Sequence, residues 1–299
     1  MRRLLTVLAI AALGVAPAMS AFAQSSGSFN YDATDAAGYT ACVLNGSNGS
    51  ITGGEQCASN SCTTNADCSA GTCYNPSKAT GSGICASSVT ATACTSSAQC
   101  SSPDICLFYG GSAGGGICGV PASSGVAEQC IGNLKTAMKT SSGNGNVFVI
   151  RPSAVIGLLT DVTIGNKGGT TIGTSSAYAG VDFTVNVKPL SNQAPPTVLP
   201  AGPVTYDARF IQISSNLFST LSECTSLTPC FITFNESTVS AHSFDWVASD
   251  LSSGDYGLTA TWTSSLGDFG IASSMTCVGP VNFTVEQNKI FQPSAGIAF

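Results

Sequence analysis

The chain of 299 residues carries 16 acidic and 10 basic side chains, and only 9% of its residues are charged. Nucleic-acid binding needs a clustered basic face, but the basic residues of this acidic chain are scattered along the sequence, which argues against a nucleic-acid partner. The second half has the apolar content of an ordinary packed domain, which argues against disorder there.

The first 23 residues have the form of a secretory signal peptide. Arg2 and Arg3 precede an apolar run that leads to the small-residue cleavage pattern AFA before Gln24. The run is shorter than the roughly 20 residues of a membrane-spanning helix, so no transmembrane anchor is expected. The segment resembles a bacterial export signal. This resemblance implies that residues 24–299 act outside the cell, at the cell surface or in the periplasm.

Residues 24–120 form a cysteine-rich region in which a four-cysteine unit occurs twice. The segment 62–85, CTTNADCSAGTCYNPSKATGSGIC, and the segment 94–118, CTSSAQCSSPDICLFYGGSAGGGIC, share the order and near spacing of their cysteines, which indicates an internal duplication. Each unit has too few large apolar residues for a core, whereas a disulfide closing a loop of about 15 residues contributes about 3 kcal/mol in the chain-entropy model. The unit cysteines are Cys62, Cys68, Cys73, Cys85, Cys94, Cys100, Cys106 and Cys118.

Zinc is the competing use of clustered cysteines, but zinc ligand pairs usually lie two to four residues apart, and an exported protein meets conditions in which disulfides persist. The units resemble small disulfide-rich repeats of secreted proteins, of the general form C-x5-C-x4-C-x(n)-C. This resemblance implies a binding or spacer module with no chemistry of its own. Four cysteines allow three connectivities, and we expect the first to pair with the third and the second with the fourth.

Six further cysteines complete an even total of fourteen. Eleven cysteines precede residue 131 and three follow it, so at least one bridge must join the two halves if all are oxidised. We expect Cys130 to pair with Cys277 as this crossing bridge. Cys224 and Cys230 bracket the turn-rich TSLTP and are expected to pair locally. The six are Cys42, Cys57, Cys130, Cys224, Cys230 and Cys277.

Residues 121–140 are predicted to form one short linking helix. Val126, Cys130, Ile131, Leu134 and Met138 fall at helical spacing. Serines can cap the start and lysines suit the end, although a glycine at position 132 weakens the prediction.

Residues 141–299 are predicted to form an antiparallel β-sandwich. Apolar residues alternate with polar ones in several segments, turn residues fill the joints, and no long helix intervenes to support parallel crossovers. About eight strands are expected, in the segments 146–151, 154–164, 181–188, 204–210, 229–235, 241–249, 256–262 and 281–285.

One stretch of this domain, AHSFDWVASDLSSGDYGLTATW at residues 241–262, resembles bacterial immunoglobulin-like domains. The resemblance implies an immunoglobulin-like sandwich in which Tyr256 is a corner tyrosine, with its ring in the core and its hydroxyl bonded to nearby backbone. Trp246 and Trp262 lie in the same stretch and are expected to be structural. This fold hosts many functions and implies none by itself.

No constellation of residues points to catalysis. His242 is the only histidine, and its place in an alternating stretch favours a strand residue over a catalytic base. Multi-histidine zinc sites are excluded, and no cofactor is expected. Asp245, Asp250 and Asp255 offer oxygen ligands to calcium, although the EF-hand spacing is missing.

The sequence therefore favours a non-enzymatic extracellular protein with a structural or adhesive role, such as a subunit of a surface layer, matrix or fibre. Its expected partners are a protein or glycan surface, or further copies of itself, because sheet edges can accept another chain's strand. A soluble module that binds glycan or protein through Trp246, Trp262, Tyr206 or Phe108 is the alternative. A secreted hydrolase is a third reading, with no residues selected for it.

Overall fold

A computed structural model gives the fold, and its description covers fifteen stretches of the chain. These are residues 28–34, 40–47, 49–59, 61–62, 64–68, 71–74, 83–94, 99–101, 104–108, 116–122, 130–140, 145–167, 170–172, 174–214 and 230–289. The expected signal peptide and Cys224 lie outside them.

The described residues are mainly β-strand with almost no helix, which confirms the mainly β prediction. The first half contains β1 (Phe29–Ala33), β2 (Val43–Leu44), β3 (Ile51–Thr52), β4 (Glu55–Ala58), β5 (Ser61–Cys62), a 3-10 turn (Asn65–Asp67), β6 (Thr72–Tyr74), β7 (Gly83–Cys94), β8 (Ile105–Phe108), β9 (Gly116–Pro121) and β10 (Ile131–Thr140). The second half contains β11 (Asn146–Lys167), β12 (Thr170–Ile172), β13 (Ser175–Pro189), β14 (Thr197–Leu199), β15 (Val204–Ile213), β16 (Cys230–Ser243), β17 (Trp246–Ser249), β18 (Gly254–Phe269) and β19 (Ile271–Lys289). No helix among these residues is long and apolar enough to cross a bilayer.

Two antiparallel sheets dominate the described structure. The large sheet has the order β1-β19-β11-β17-β14, with β12 and β16 also paired to β11 and β4 paired to β19. The small sheet has the order β10-β18-β13-β15. The strand β11 runs unbroken for 22 residues, so it joins the two strands predicted at 146–151 and 154–164. Its ladder with β19 continues past Pro152, with a bulge between Ala154 and Ile156.

The two sheets share one hydrophobic core, because the strands of each sheet turn every second side chain toward the other sheet. Phe148 and Phe283 come from the large sheet, Phe183 and Leu258 from the small sheet, and each is at most 1% exposed. This burial confirms the alternating pattern that predicted these strands.

The predicted helix at 121–140 is wrong over residues 131–140, which form β10, while residues 123–129 lie outside the description. Every residue of β10 pairs with β18, from Ile131 with Thr263 to Thr140 with Gly254. The error comes from an ambiguous spacing, since Leu134 and Met138 are four residues apart and share a face of a strand as well as of a helix. A helix would place Ile131 on the same face as Leu134 and Met138, but in the strand Ile131 is 56% exposed.

The cysteine-rich half has its own small sheet, in the order β5-β7-β9-β8 with β6 also paired to β7. The disulfides of its second unit pack on the face of the large sheet that points away from the shared core. There Leu159 and Met275 of the large sheet contact a cluster that includes Cys94, Cys106 and Cys118. The two halves of the chain are therefore joined by packing as well as by covalent bonds.

Six disulfides are formed among the described residues. Both units have the expected connectivity of first with third and second with fourth cysteine. The unit bridges are Cys62–Cys73, Cys68–Cys85, Cys94–Cys106 and Cys100–Cys118.

A disulfide does cross between the halves, but the predicted pair of Cys130 with Cys277 is wrong. Cys277 bonds Cys42, and Cys130 bonds Cys57. Strand alternation explains the difference. Cys277 faces the cysteine-rich half beside Met275, whereas Cys57 is paired in the ladder with Thr276, whose side chain points to the opposite face toward Ser264.

Candidate interaction site

The two sheets present two lateral sides, and one of them is closed by side chains of β1. Asn30 Nδ2 donates a 2.6 Å hydrogen bond to the carbonyl oxygen of Ala137, and Asp32 Oδ2 accepts a 3.0 Å bond from the amide of Lys135. Both backbone groups belong to β10, the first strand of the small sheet. The short strand β1 therefore occupies backbone groups of β10 that another chain could otherwise use.

The opposite side carries two longer strands. The strand β15 is the last strand of the small sheet, and β16 pairs with β11 over the fourteen residues from Cys230 to Ser243. No second ladder partner of either strand occurs among the described residues. Large apolar side chains are exposed on both, with Phe210 62% and Phe234 51% exposed. We call these two strands, β15 and β16, the open edge.

A β-bulge shapes the inner side of the open edge. Val181 pairs with Asp207 and Asp182 with Thr205, so the register of β15 against β13 skips Tyr206. The Tyr206 ring stacks on Phe183 in the core, and its hydroxyl donates a 2.7 Å bond to the Pro152 carbonyl. Burial raises the pKa of Tyr206 above its ordinary value, so this hydroxyl stays a donor at any physiological pH.

Beyond the bulge, polar side chains of β15 meet polar side chains of β16. Arg209 Nη2 donates a 2.7 Å bond to Thr238 Oγ1, and its Nε lies 3.8 Å from Glu236 Oε2. Ser240 Oγ lies 3.4 Å from Asp207 Oδ2. We call this group the polar seam, and its members are Asp207, Arg209, Glu236, Thr238, Ser240 and His242.

His242 belongs to the polar seam, and its surroundings differ from those of a catalytic base. Ser240 Oγ lies 2.6 Å from His242 Nε2, and Asp207 Oδ2 lies 3.7 Å from the same nitrogen. In a serine nucleophile triad the acid bonds one ring nitrogen and the serine the other. Here serine and acid share one nitrogen, so the contacts join the two sheets without reproducing that triad.

Metal ligands do not gather at the open edge. Among the described residues, groups of three ligand atoms within 4.8 Å of one another occur only at two cysteine trios, whose sulfurs are all in disulfides. Asp245 bonds Arg151 through both carboxylate oxygens, at 2.5 and 2.7 Å, and this lowers its pKa. Asp250 accepts a bond from Ser249. Asp255, the third aspartate considered as a calcium ligand, lies in β18 and is exposed.

The aromatic residues expected to contact glycan are mostly in the core. Trp246, Trp262 and Tyr206 are at most 8% exposed, and the Trp262 indole nitrogen donates a 3.1 Å bond to Glu55 of the cysteine-rich half. Both tryptophan side chains therefore pack in the core. The side chain of Phe108 lies outside the description.

Tyr256 packs in the core and bonds nearby backbone through its hydroxyl. Its ring is fully buried and meets Phe148 edge to face at a centroid distance of 5.8 Å. Its hydroxyl accepts a 3.0 Å bond from the amide of Ser252 and lies 3.2 Å from the carbonyl oxygen of the same residue. The hydroxyl thus holds the turn that leads into β18.

A second surface feature lies on the outer face of the small sheet. A depression of about 600 Å³ there is lined by Lys135, Lys188 and Leu190 around a floor that includes Gly257 and Thr259. Both lysines are exposed on this face, in a chain with more acidic than basic residues. The depression therefore presents two lysine side chains beside an otherwise largely apolar lining.

Sequence reasoning did not single out the open edge, although one signal was present. The segment 230–243, CFITFNESTVSAHS, contains no lysine, arginine or proline, the residues with which natural edge strands block pairing. Comparisons of the whole chain with protein-family models, with curated proteins and with solved structures found no match. The contacts described above therefore carry the functional argument.

Proposed function

We propose that this chain is an extracellular, non-enzymatic structural or adhesive protein, built as an immunoglobulin-like sandwich that a disulfide-rich arm covers on one face. It attaches to other protein chains, its own copies included, through the open edge. The observation that carries the proposal is the difference between the two lateral sides. One edge is closed by Asn30 and Asp32, while the other presents the 10-residue strand β15 and the 14-residue strand β16.

Unpaired strand edges attract other strands, because their amide and carbonyl groups are ready to form a further ladder. Soluble proteins that gain nothing from such contact usually shorten, charge or cover their long edges. The edge here is long, and Phe210 and Phe234 are exposed beside it. These features favour a role of the edge in binding another chain. The six disulfides are typical of an oxidising environment, which supports a place outside the cytoplasm.

The test follows the exported chain, purified from culture medium and from washed cells, by sedimentation and electron microscopy over a range of concentrations. The proposal expects concentration-dependent association, ordered assemblies or retention on the cell surface. A control variant changes Ile131, an exposed apolar residue of β10 on the opposite lateral side, to serine and should behave as wild type. A chain that stays monomeric at every concentration and is retained on no surface contradicts the proposal.

A second candidate function is binding of acidic glycan, and the lysine-lined depression on the small sheet favours it. The ammonium groups of Lys135 and Lys188 suit carboxylate or sulfate groups of a polysaccharide, and Thr259 with Asn186 offers hydrogen bonds to hydroxyls. A glycan array with uronate-containing and sulfated polymers tests this function. Binding that survives Lys135→Ser with Lys188→Ser would exclude the depression as the site.

A further inference from the structure

We propose that the open edge takes a second copy of this chain, with the two β16 strands pairing antiparallel about a two-fold axis at Val239. The inference rests on the proposed function and specifies its partner. Two copies would then extend the large sheet into one continuous sheet across the axis. The contact is isologous, which means that the same residues contribute from both sides.

The backbone of β16 suits such pairing. The strand is long, since Ser153 to Asn166 of β11 pair with Ser243 to Cys230 along one side of it. In an antiparallel ladder the backbone groups of alternate residues point to opposite sides of the strand, so half of those in β16 point away from β11. The side chains obstruct little, because serine, threonine, asparagine and alanine make up most of the segment from Asn235 to Ser243.

Complementary hydrogen-bonding side chains fix the register and favour a second copy over an unrelated chain. With Val239 opposite itself, Glu236 of each copy lies opposite His242 of the other copy, and Thr238 lies opposite Ser240. Glu236 and His242 are six residues apart and therefore share one face of the strand. The Glu236 side chain is 58% and the His242 side chain 28% exposed, so both can be reached by a partner.

Neighbouring registers lose this match. With Thr238 at the axis, Glu236 lies opposite Ser240 and no longer faces the imidazole of His242. The arrangement about Val239 forms the pair twice, once on each side of the axis, and a carboxylate that accepts a hydrogen bond from an imidazole N–H across the strands supports the ladder. An unrelated strand does not share this internal symmetry, so the pattern points to a copy of the same chain.

A disulfide across the axis tests the register. Residues directly opposite in an antiparallel pair have Cβ atoms about 4.5–5.5 Å apart, which is close to disulfide geometry. Val239→Cys in the full exported chain should give a covalent dimer on mild oxidation, visible by non-reducing electrophoresis and intact mass. The control is Val247→Cys in β17, an exposed valine that does not oppose itself, whereas Val239 is partly buried against the cluster that includes Cys42 and Cys277. Equal cross-linking of the two variants would overturn the register.

Adjacent prolines test the edge itself. Amide groups of neighbouring strand residues point to opposite sides of the strand. One of the two variants Glu236→Pro and Ser237→Pro therefore breaks the ladder with β11, and the other removes only an amide that points outward. The variant that keeps the wild-type melting temperature should sediment as a monomer at concentrations where wild type is dimeric. If it dimerises as tightly as wild type, the inference is wrong while the proposed function stands.

The behaviour of the wild-type chain distinguishes pairing between copies from the adhesive function. Monomers that are retained on a cell surface or bind another protein overturn pairing between copies and leave the adhesive function intact. Monomers that bind no surface overturn both.

Discussion

Asp268 is a buried acid whose ionisation the fold opposes. Both of its carboxylate oxygens are shielded from solvent, and burial raises its pKa to about 6, although the neighbouring polar groups of Ser59 and Ser274 act in the opposite direction. The folded protein therefore holds this proton more tightly than the unfolded chain does. As a consequence, the free energy of unfolding falls as pH rises from about 4 to about 6, by about 3 kcal/mol for a shift of roughly two pKa units.

Asp268→Asn is expected to remove this dependence. The variant should be more stable than wild type at pH 7.5 by up to about 3 kcal/mol and similar to it near pH 3.5. Chemical denaturation of the oxidised protein across this pH range measures the effect. Asp255→Asn, at an exposed position of the same strand, is the control and should follow the wild-type curve. Parallel curves for Asp268→Asn and wild type would show that Asp268 does not carry the effect.

Tyr256 offers a second test at a single residue. Tyr256→Phe keeps the ring that packs on Phe148 and removes only the hydroxyl that bonds Ser252. The loss leaves the amide of Ser252 without this acceptor, and we expect about 1–2 kcal/mol of destabilisation in urea or guanidinium unfolding. Tyr31→Phe, at a tyrosine that is 67% exposed, should change stability by far less. Equal effects in the two variants would remove the corner role from Tyr256.

At the scale of the element, β10 depends on a glycine that the helix prediction treated as a weakness. Gly132 lies opposite Trp262 in the ladder with β18, and a Cβ at position 132 would overlap the Trp262 indole. Gly132→Ala should therefore displace the indole from its bond to Glu55 and destabilise the protein by about 1–3 kcal/mol. The matched control is Gly202→Ala, where open space surrounds the added methyl group. Thermal unfolding and tryptophan fluorescence measure both effects, and an unchanged spectrum in Gly132→Ala contradicts the close contact.

The sequence predicts an element well where its hydrophobic pattern fits only the two-residue period of a strand or only the 3.6-residue period of a helix. Alternation at 181–188 and 256–262 fits only a strand, and both segments are strands. In β10, Leu134 and Met138 fit a strand and a helix equally, and the pairing with β18 that decides between them is not visible in a local pattern. The segments 146–151 and 154–164 are predicted as two strands, yet the single strand β11 covers both, and its ladder with β19 passes through Pro152.

The cysteines show the same division between local and distant information. Connectivity inside each unit depends on local information, because four cysteines with short loops allow only three pairings, and the expected pairing is the one found. The choice between Cys42 and Cys130 as the partner of Cys277 depends on which face of β19 each approaches, and this follows only from the assembled sheets. The open edge was likewise hidden, since a strand becomes an edge only through the order of strands in a sheet.

At the scale of the whole molecule, the disulfide Cys42–Cys277 ties the two halves together over a separation of 235 residues. Closing a loop longer than 100 residues contributes up to about 5 kcal/mol in the chain-entropy model, although the bridges inside this loop reduce the value because they already restrict the unfolded chain. Removal of Cys68–Cys85, which spans 17 residues, should affect mainly its own unit.

Cys42→Ser with Cys277→Ser should therefore lower the stability of the whole protein and loosen the cysteine-rich half from the large sheet. Leu159 and Met275, which that half covers, would become accessible, and hydrogen exchange should increase along β11 and β19. Cys68→Ser with Cys85→Ser should increase exchange in β6 and β7 and leave β19 protected. If both double variants alter exchange only within the first half, packing alone holds the halves together and the long bridge contributes little, because the buried contacts around Met275 persist without it.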